Sequence, residues 1–191
     1  MGQEDNLHAS LAHIVLCCVA GNGISGWSSG KSFTHPGMHT NFLIHGILGI
    51  LNFQSGTFGD IAPAYGLSMK ATKYLPLACL MADMYKRDPL NTNDTLSMVH
   101  LFSGLIPFAL AVIGKDNKEL GHLVVAANVI GLGIWSVQNG REWGYYTTAA
   151  AILAYLSPHV GTPVLYPLTL AFMEYCAIRM YSWVPPQNRR R

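Results

Sequence analysis

Long uncharged stretches, separated by short charged segments, divide this chain into a regular pattern. Five such stretches contain no Asp, Glu, Lys or Arg, and they are 6–30, 32–59, 95–114, 120–140 and 143–173. A helix that crosses the hydrocarbon core of a bilayer needs roughly 20 mostly apolar residues. The pattern therefore predicts an all-α fold, a transmembrane helical bundle that forms one integral membrane domain over residues 1–191.

Turn residues divide these stretches further and predict seven spans. The predicted spans are 7–27, 38–53, 61–85, 95–114, 120–137, 143–156 and 164–183. The third span is the weakest, because Lys70, Lys73 and Asp83 interrupt it and Pro76 should kink it. If that segment does not cross, the count falls to six. We therefore expect a polytopic bundle of six or seven spans with short loops.

The distribution of basic residues predicts an orientation for the bundle. Cytoplasmic loops of membrane proteins carry an excess of Lys and Arg. With the N-terminus outside, the outside loops contain only Lys115 and Lys118. The inside segments then contain Lys31, Lys86, Arg87, Arg141 and the tail Arg189–Arg191. This asymmetry favours an outside N-terminus and an inside C-terminus.

Composition agrees with a membrane protein and argues against nucleic-acid binding. Charged residues make up 12% of the chain, whereas they make up about a quarter of ordinary soluble domains. A net charge of +2 gives no basis for binding nucleic acid. Tryptophans lie near the predicted span ends, as in an interfacial aromatic belt, and they are Trp27, Trp135, Trp143 and Trp183.

Four histidines are the first candidate site. Each lies in the first half of a different predicted span, and they are His13, His45, His100 and His122. Because span direction alternates, His45 and His100 should enter from one face, and His13 and His122 from the other. Two levels of paired imidazoles suit b-type haem, or a metal, in electron transfer across a membrane. The alternative is hydrogen bonding to neighbouring helices or headgroups, and His39 is interpreted as a loop or interface residue.

Charged residues inside the weaker spans are the second candidate site. Lys70 and Lys73 share one face of the third span, and Glu174 lies well inside the seventh. Lys73 and Glu174 should lie at similar depths, roughly 18 and 15 Å from their span starts. A Lys73–Glu174 pair would offset the cost of burying either charge and could belong to a proton, ion or solute pathway. Alternatively the pair is structural, or the lysines extend to the membrane surface.

Three functional hypotheses follow from these observations. Because no catalytic constellation is present, the first is a non-catalytic accessory or structural subunit of a larger membrane complex. Its partners would be membrane lipids and other membrane protein subunits. The second is a haem b electron carrier that uses the four histidines. The third is a small proton, ion or solute transporter that uses Lys70, Lys73 and Glu174. We expect bound lipids and no enzymatic activity.

Overall fold

The described part of the chain consists almost entirely of helices. The computed structural model describes residues 6–26, 37–87 and 92–182, of which 87% are helical and none forms a strand. The α-helices are α1 (Leu7–Ser25), α2 (Gly37–Phe53), α3 (Ser55–Phe58), α4 (Ala62–Arg87), α5 (Asp94–Val112), α6 (Lys118–Gln138), α7 (Glu142–Leu156) and α8 (Leu165–Tyr181). A 3-10 helix, Ser157–Val160, extends α7. The all-α prediction is confirmed, and each predicted span corresponds to one long helix.

Asparagine side chains cap the first turn of three of the long helices. Asn6, Asn93 and Asn117 each precede a helix, and each side-chain oxygen accepts a hydrogen bond from the backbone N–H three residues later, at 3.0, 2.9 and 3.1 Å. Such caps satisfy a backbone donor that has no partner within the helix. The same three asparagines therefore determine where α1, α5 and α6 begin.

Along the chain, successive long helices run in opposite directions. Most of them pack side by side in a closed ring. Ring neighbours are α1, α2, α4, α6, α7 and α8 in that order, and α8 packs back against α1. Helix α5 lies outside the ring against α4 and α6. We call the end of the bundle where α1, α4, α6 and α8 begin end A, and the opposite end, where α2, α5 and α7 begin, end B.

Polar side chains lie inside the bundle, and many large apolar ones lie outside. His13, His45 and Glu174 are fully buried. By contrast, Leu123 and Ile130 on the outer face of α6 are 67% and 61% exposed. The outer face of a helix in a water-soluble bundle is normally polar instead. The outer surface is therefore suited to contact with lipid.

Three of the described helices are long and apolar enough to cross a membrane, and they are α1, α5 and α6. This corrects the expectation of six or seven such helices. Helices α2, α7 and α8 have only 17, 15 and 17 residues, and α4 contains Lys70, Lys73 and Asp83. Some residues used in the orientation and aromatic-belt predictions lie outside the described ranges, namely Trp27, Lys31, Trp183 and Arg189–Arg191.

Candidate functional site

A cavity of about 320 Å³ lies between α4, α6, α7 and α8. Its wall includes Asp116, Lys118 and His159, which lie in or beside the connections at end A. The cavity also reaches Val129, which lies roughly 16 Å along α6 from Lys118 at a rise of 1.5 Å per residue. We call this space the four-helix cavity. It extends from the polar end of the bundle into its apolar interior.

Positive charge is concentrated at the mouth of the four-helix cavity. Lys70 Nζ lies 3.2 Å from Asp116 Oδ2, and the Tyr74 hydroxyl donates a hydrogen bond to Asp116 Oδ1 at 3.3 Å. Lys73 Nζ lies 5.2 Å from the centroid of the Tyr74 ring. With Lys118, three ammonium groups of the described residues line the cavity beside one carboxylate. The mouth therefore has a net positive charge, which favours an anion.

Gly121 on α6 makes the arrangement of this mouth geometrically feasible. A Cβ atom at this position would lie 2.5 Å from the Tyr74 hydroxyl oxygen and 2.9 Å from Tyr74 Cε1. Only glycine lets the ring of Tyr74 lie this close to α6, where its hydroxyl reaches Asp116. Gly121 thus places the cationic side chains of α4 beside the loop that precedes α6.

Away from its mouth, the four-helix cavity has a mainly apolar wall. Its apolar residues come from all four helices and include Leu77, Val125, Val129, Ala151, Leu170 and Met173. A polar contact interrupts this wall where Thr72 Oγ1 and the Tyr166 hydroxyl lie 2.9 Å apart. An apolar interior with few polar groups is typical of pockets that bind small organic ligands.

Of the four candidate histidines, only His122 lines the four-helix cavity. Its Nδ1 forms a hydrogen bond with the Tyr155 hydroxyl, and Tyr155 in turn packs against His159, with ring centroids 6.4 Å apart. Tyr155 and His159 also line the cavity. His122, Tyr155 and His159 therefore form a second polar region of the cavity wall, on the side of α6 and α7.

His13 and His45 lie together, in a buried cluster between α1, α2 and α4. Their ring centroids are 5.4 Å apart. His13 Nδ1 donates to the Ala9 carbonyl at 2.8 Å. His45 Nδ1 lies 2.8 Å from Ser68 Oγ and must donate to it, because the single Ser68 hydroxyl proton is used on the Tyr65 carbonyl. In the neutral form of each ring, Nδ1 therefore carries the proton and Nε2 carries the lone pair.

This cluster does not have the arrangement expected for a haem. His13 Nε2 lies 3.3 Å from the Tyr65 hydroxyl, and the His45 ring stacks on the Tyr65 ring with centroids 5.1 Å apart. Phe53 packs on His13, and Tyr166 packs on His45. A macrocycle between two axial imidazoles would need the space that these aromatic rings fill.

His100 is separated from the other histidines by its own set of contacts. Its Nδ1 donates to Asn128 Oδ1 on α6 at 2.8 Å, and its ring stacks on Tyr85, with ring centroids 5.2 Å apart. The expected pairing of His45 with His100 and of His13 with His122 is not seen. His13 and His45 meet instead because α1 and α2 are antiparallel neighbours, and the first half of α1 packs against α2 from its middle, where His45 lies, toward its end.

Glu174 is paired with His39 rather than with Lys73. Its Oε1 forms a hydrogen bond with His39 Nδ1, and both side chains are almost completely buried. Glu174 Oε2 has no hydrogen-bond partner among the described residues. Lys73 instead lies at the mouth of the four-helix cavity, toward end A. Lys73 and Glu174 lie at different levels because α4 begins farther out at end A than α8 does. Thr72, well inside α4, contacts Tyr166 at the start of α8.

Several residues of these sites had no clear signal in the sequence. His39 was interpreted as a loop or interface residue, yet it is 1% exposed in the first turn of α2. The sequence does not point to Asp116 or Tyr155, because nothing in a single sequence shows that they face Lys70 and His122. Within the described residues, no group of three or more His, Cys, Asp or Glu side chains is arranged to hold a metal ion. Comparison with protein-family models, curated proteins and solved structures finds no match to this chain.

Proposed function

We propose that this protein is a seven-helix integral membrane protein that binds an amphiphilic organic anion in the four-helix cavity. The observation that carries the proposal is the combination of a cationic mouth and an apolar interior in a single cavity of about 320 Å³. That volume is within the range of ligand pockets, roughly 300–1,000 Å³. A carboxylate or phosphate would meet the lysines, and an alkyl or aryl body would fill the space between the helices.

The placement of all seven long helices in the membrane is supported by their alternating direction and their exposed apolar residues. The three shorter helices also carry large apolar side chains on their outer faces, such as Ile44 on α2, Leu153 on α7 and Phe172 on α8. Helix α7 together with its 3-10 extension has a length of roughly 30 Å, comparable to a bilayer core. The 17-residue helices require only modest local thinning of the bilayer.

This proposal keeps only part of the residue set that the transporter hypothesis uses. Lys70 and Lys73 belong to the cavity, whereas Glu174 does not line it, although its neighbour Met173 does. Within the described part of the chain, no specific contact supports the haem or accessory-subunit hypotheses over this one. Partner subunits and bound lipids remain predictions for the outer surface.

Binding of tritiated dodecanoate to the detergent-purified protein tests the proposal. At a fixed detergent concentration, we expect saturable binding that is competed by unlabelled dodecanoate but not by dodecyltrimethylammonium or acetate. Lys73→Gln should raise the Kd about tenfold, because it removes a charged partner of the anion. Val129→Phe should reduce binding by filling the apolar part.

Lys115→Gln is the matched control, because Lys115 lies in the same connection at end A but does not line the cavity. It should leave the Kd of dodecanoate within about twofold, since a solvent-exposed charge is largely screened. Equal competition by dodecyltrimethylammonium, or an unchanged Kd in both cavity variants, would show that the proposal is wrong.

A further inference from the structure

A second cavity, of about 230 Å³, lies at end B between the last turns of α6 and α8 and the start of α7. We call it the end-B cavity. It lies at the opposite end of the bundle from the mouth of the four-helix cavity and shares no lining residue with it. Its polar lining comes from Trp135, Arg141, Glu142 and Arg179. Among the described lining residues, two guanidinium groups and one carboxylate give a net positive charge.

Trp135, a lining residue of the end-B cavity, carries a buried hydrogen-bond donor that has no acceptor among the described residues. Trp135 is 2% exposed, and its indole N–H has no hydrogen-bond partner among the described residues. A buried N–H that makes no hydrogen bond costs roughly 1–3 kcal/mol. An acceptor atom of a ligand in the cavity would remove that cost. The indole can only donate, so the ligand must present an oxygen or another acceptor to it.

The cationic groups around this donor are held in place by the fold. The Arg179 guanidinium carbon lies 5.2 Å from the centroid of the Trp143 ring, an arrangement that orients the guanidinium plane. Arg141 is the N-cap residue of α7, and it lines the cavity together with Glu142 and Trp143 of the first turn. The N-terminus of this 15-residue helix therefore adds its positive dipole to the same cavity.

The carboxylate in the lining is directed partly to another partner. Glu142 Oε1 accepts a hydrogen bond from the Tyr146 hydroxyl at 3.1 Å, one turn farther along α7. Its charge opposes an anion, but it is outnumbered by the two arginines. Arginine forks and an N–H donor match the several acceptor oxygens of a phosphate group better than the two of a carboxylate.

We propose that the end-B cavity binds a phosphate group, with Trp135, Arg141 and Arg179 as its donors. If the helices cross the membrane as proposed above, this cavity lies at the level of the lipid headgroups, where a phospholipid provides such a group. Basic pockets between transmembrane helices bind acidic lipid headgroups in this way. Free inorganic phosphate has the same chemistry, and the experiment separates the two sources.

The test measures binding of dioctanoyl phosphatidic acid to the full-length protein in detergent by native mass spectrometry. Dioctanoylglycerol, which lacks the phosphate, and inorganic phosphate are the comparison ligands. We expect phosphatidic acid to bind and dioctanoylglycerol not to bind. Trp135→Phe retains the ring but loses the donor and should weaken binding several-fold. Arg141→Gln with Arg179→Gln should weaken it at least about tenfold.

Lys86→Gln is the matched control, because Lys86 is an exposed cation at end B that does not line the cavity. It should change the affinity less than about twofold, since surface charges contribute little. Dodecanoate binding at the four-helix cavity reports that each variant is folded. If the proposed function fails, the melting temperature of each variant reports folding instead.

The comparison ligands decide the source of the phosphate. Competition by millimolar inorganic phosphate would identify free phosphate as a ligand, and its absence would identify the lipid headgroup. Equal binding of dioctanoylglycerol would contradict the proposal. Unchanged affinity in both the Trp135→Phe and the double-arginine variants would also contradict it.

Discussion

At the scale of single residues, the buried histidines depend on glycines that leave space for their rings. A Cβ atom on Gly49 would overlap the His13 imidazole, and one on Gly23 would lie 2.7 Å from both His39 Nδ1 and Glu174 Oε1. Both glycines lie inside helices, where glycine is normally unfavourable. Both glycines pack against buried polar side chains. We infer that this close packing offsets the low helix propensity of glycine.

Gly49→Ala should therefore destabilise the protein by about 1–3 kcal/mol, because His13 has no space to move within its aromatic neighbours. The control is Gly21→Ala in α1, where an added Cβ meets nothing within 4 Å. That substitution should be neutral or stabilising by up to about 1 kcal/mol. Thermal unfolding in detergent measures both, and equal melting temperatures would contradict the packing argument.

At the scale of helices, positions and boundaries were predictable from the sequence. The uncharged runs predicted α5 and α6 to within about two residues, and the structure adds Asn93 and Asn117 as the caps of these helices. The short α3 and the 3-10 helix Ser157–Val160 were not predicted, because four-residue helices carry no periodicity. Rotation of each helix about its own axis was also not predictable, since these helices have little amphipathic contrast.

Helix α5 lies outside the ring, and a polar bridge connects it to α6. Asn128 accepts from His100 and donates to Ser103 Oγ at 2.8 Å and to the Val124 carbonyl at 2.9 Å. Asn128→Ala should cost about 0.6–1.7 kcal/mol, the range measured for polar contacts between membrane helices. The control is Asn22→Ala on the exposed face of α1, which should have almost no effect. Equal loss of thermal stability in both variants would show that the bridge does not stabilise the bundle.

At the scale of the whole molecule, the sites arise from contacts between distant parts of the chain. Lys73 and His122 were both selected from the sequence, but for different sites, and the fold brings them to one cavity. The sequence places Trp135 only in an aromatic belt, although it lines the end-B cavity. Residue type and approximate depth are local properties of a span. Which side chains share a cavity depends on the order of helices around the ring, which no local pattern contains.

The position of both proposed binding sites relative to the membrane depends on how many helices cross it. Single-cysteine labelling distinguishes the alternatives. Thr57 in α3, Lys115 before α6 and Thr162 before α8 all lie exposed at end A, whereas Gln138 lies exposed at end B. If all seven long helices cross, Thr57→Cys, Lys115→Cys and Thr162→Cys should react with a membrane-impermeant maleimide from one side of sealed vesicles. Gln138→Cys should react only from the other side.

The alternatives give different labelling patterns. If only α1, α5 and α6 cross, Thr57→Cys and Thr162→Cys should behave like Gln138→Cys, because α2, α4, α7 and α8 would then stay on one side. If α4 alone fails to cross, Thr57→Cys and Lys115→Cys should react from opposite sides. The unsubstituted protein, whose four cysteines all lie within helices, is the control for background reaction. With the predicted outside N-terminus, the three end-A positions should react in right-side-out vesicles before any permeabilisation.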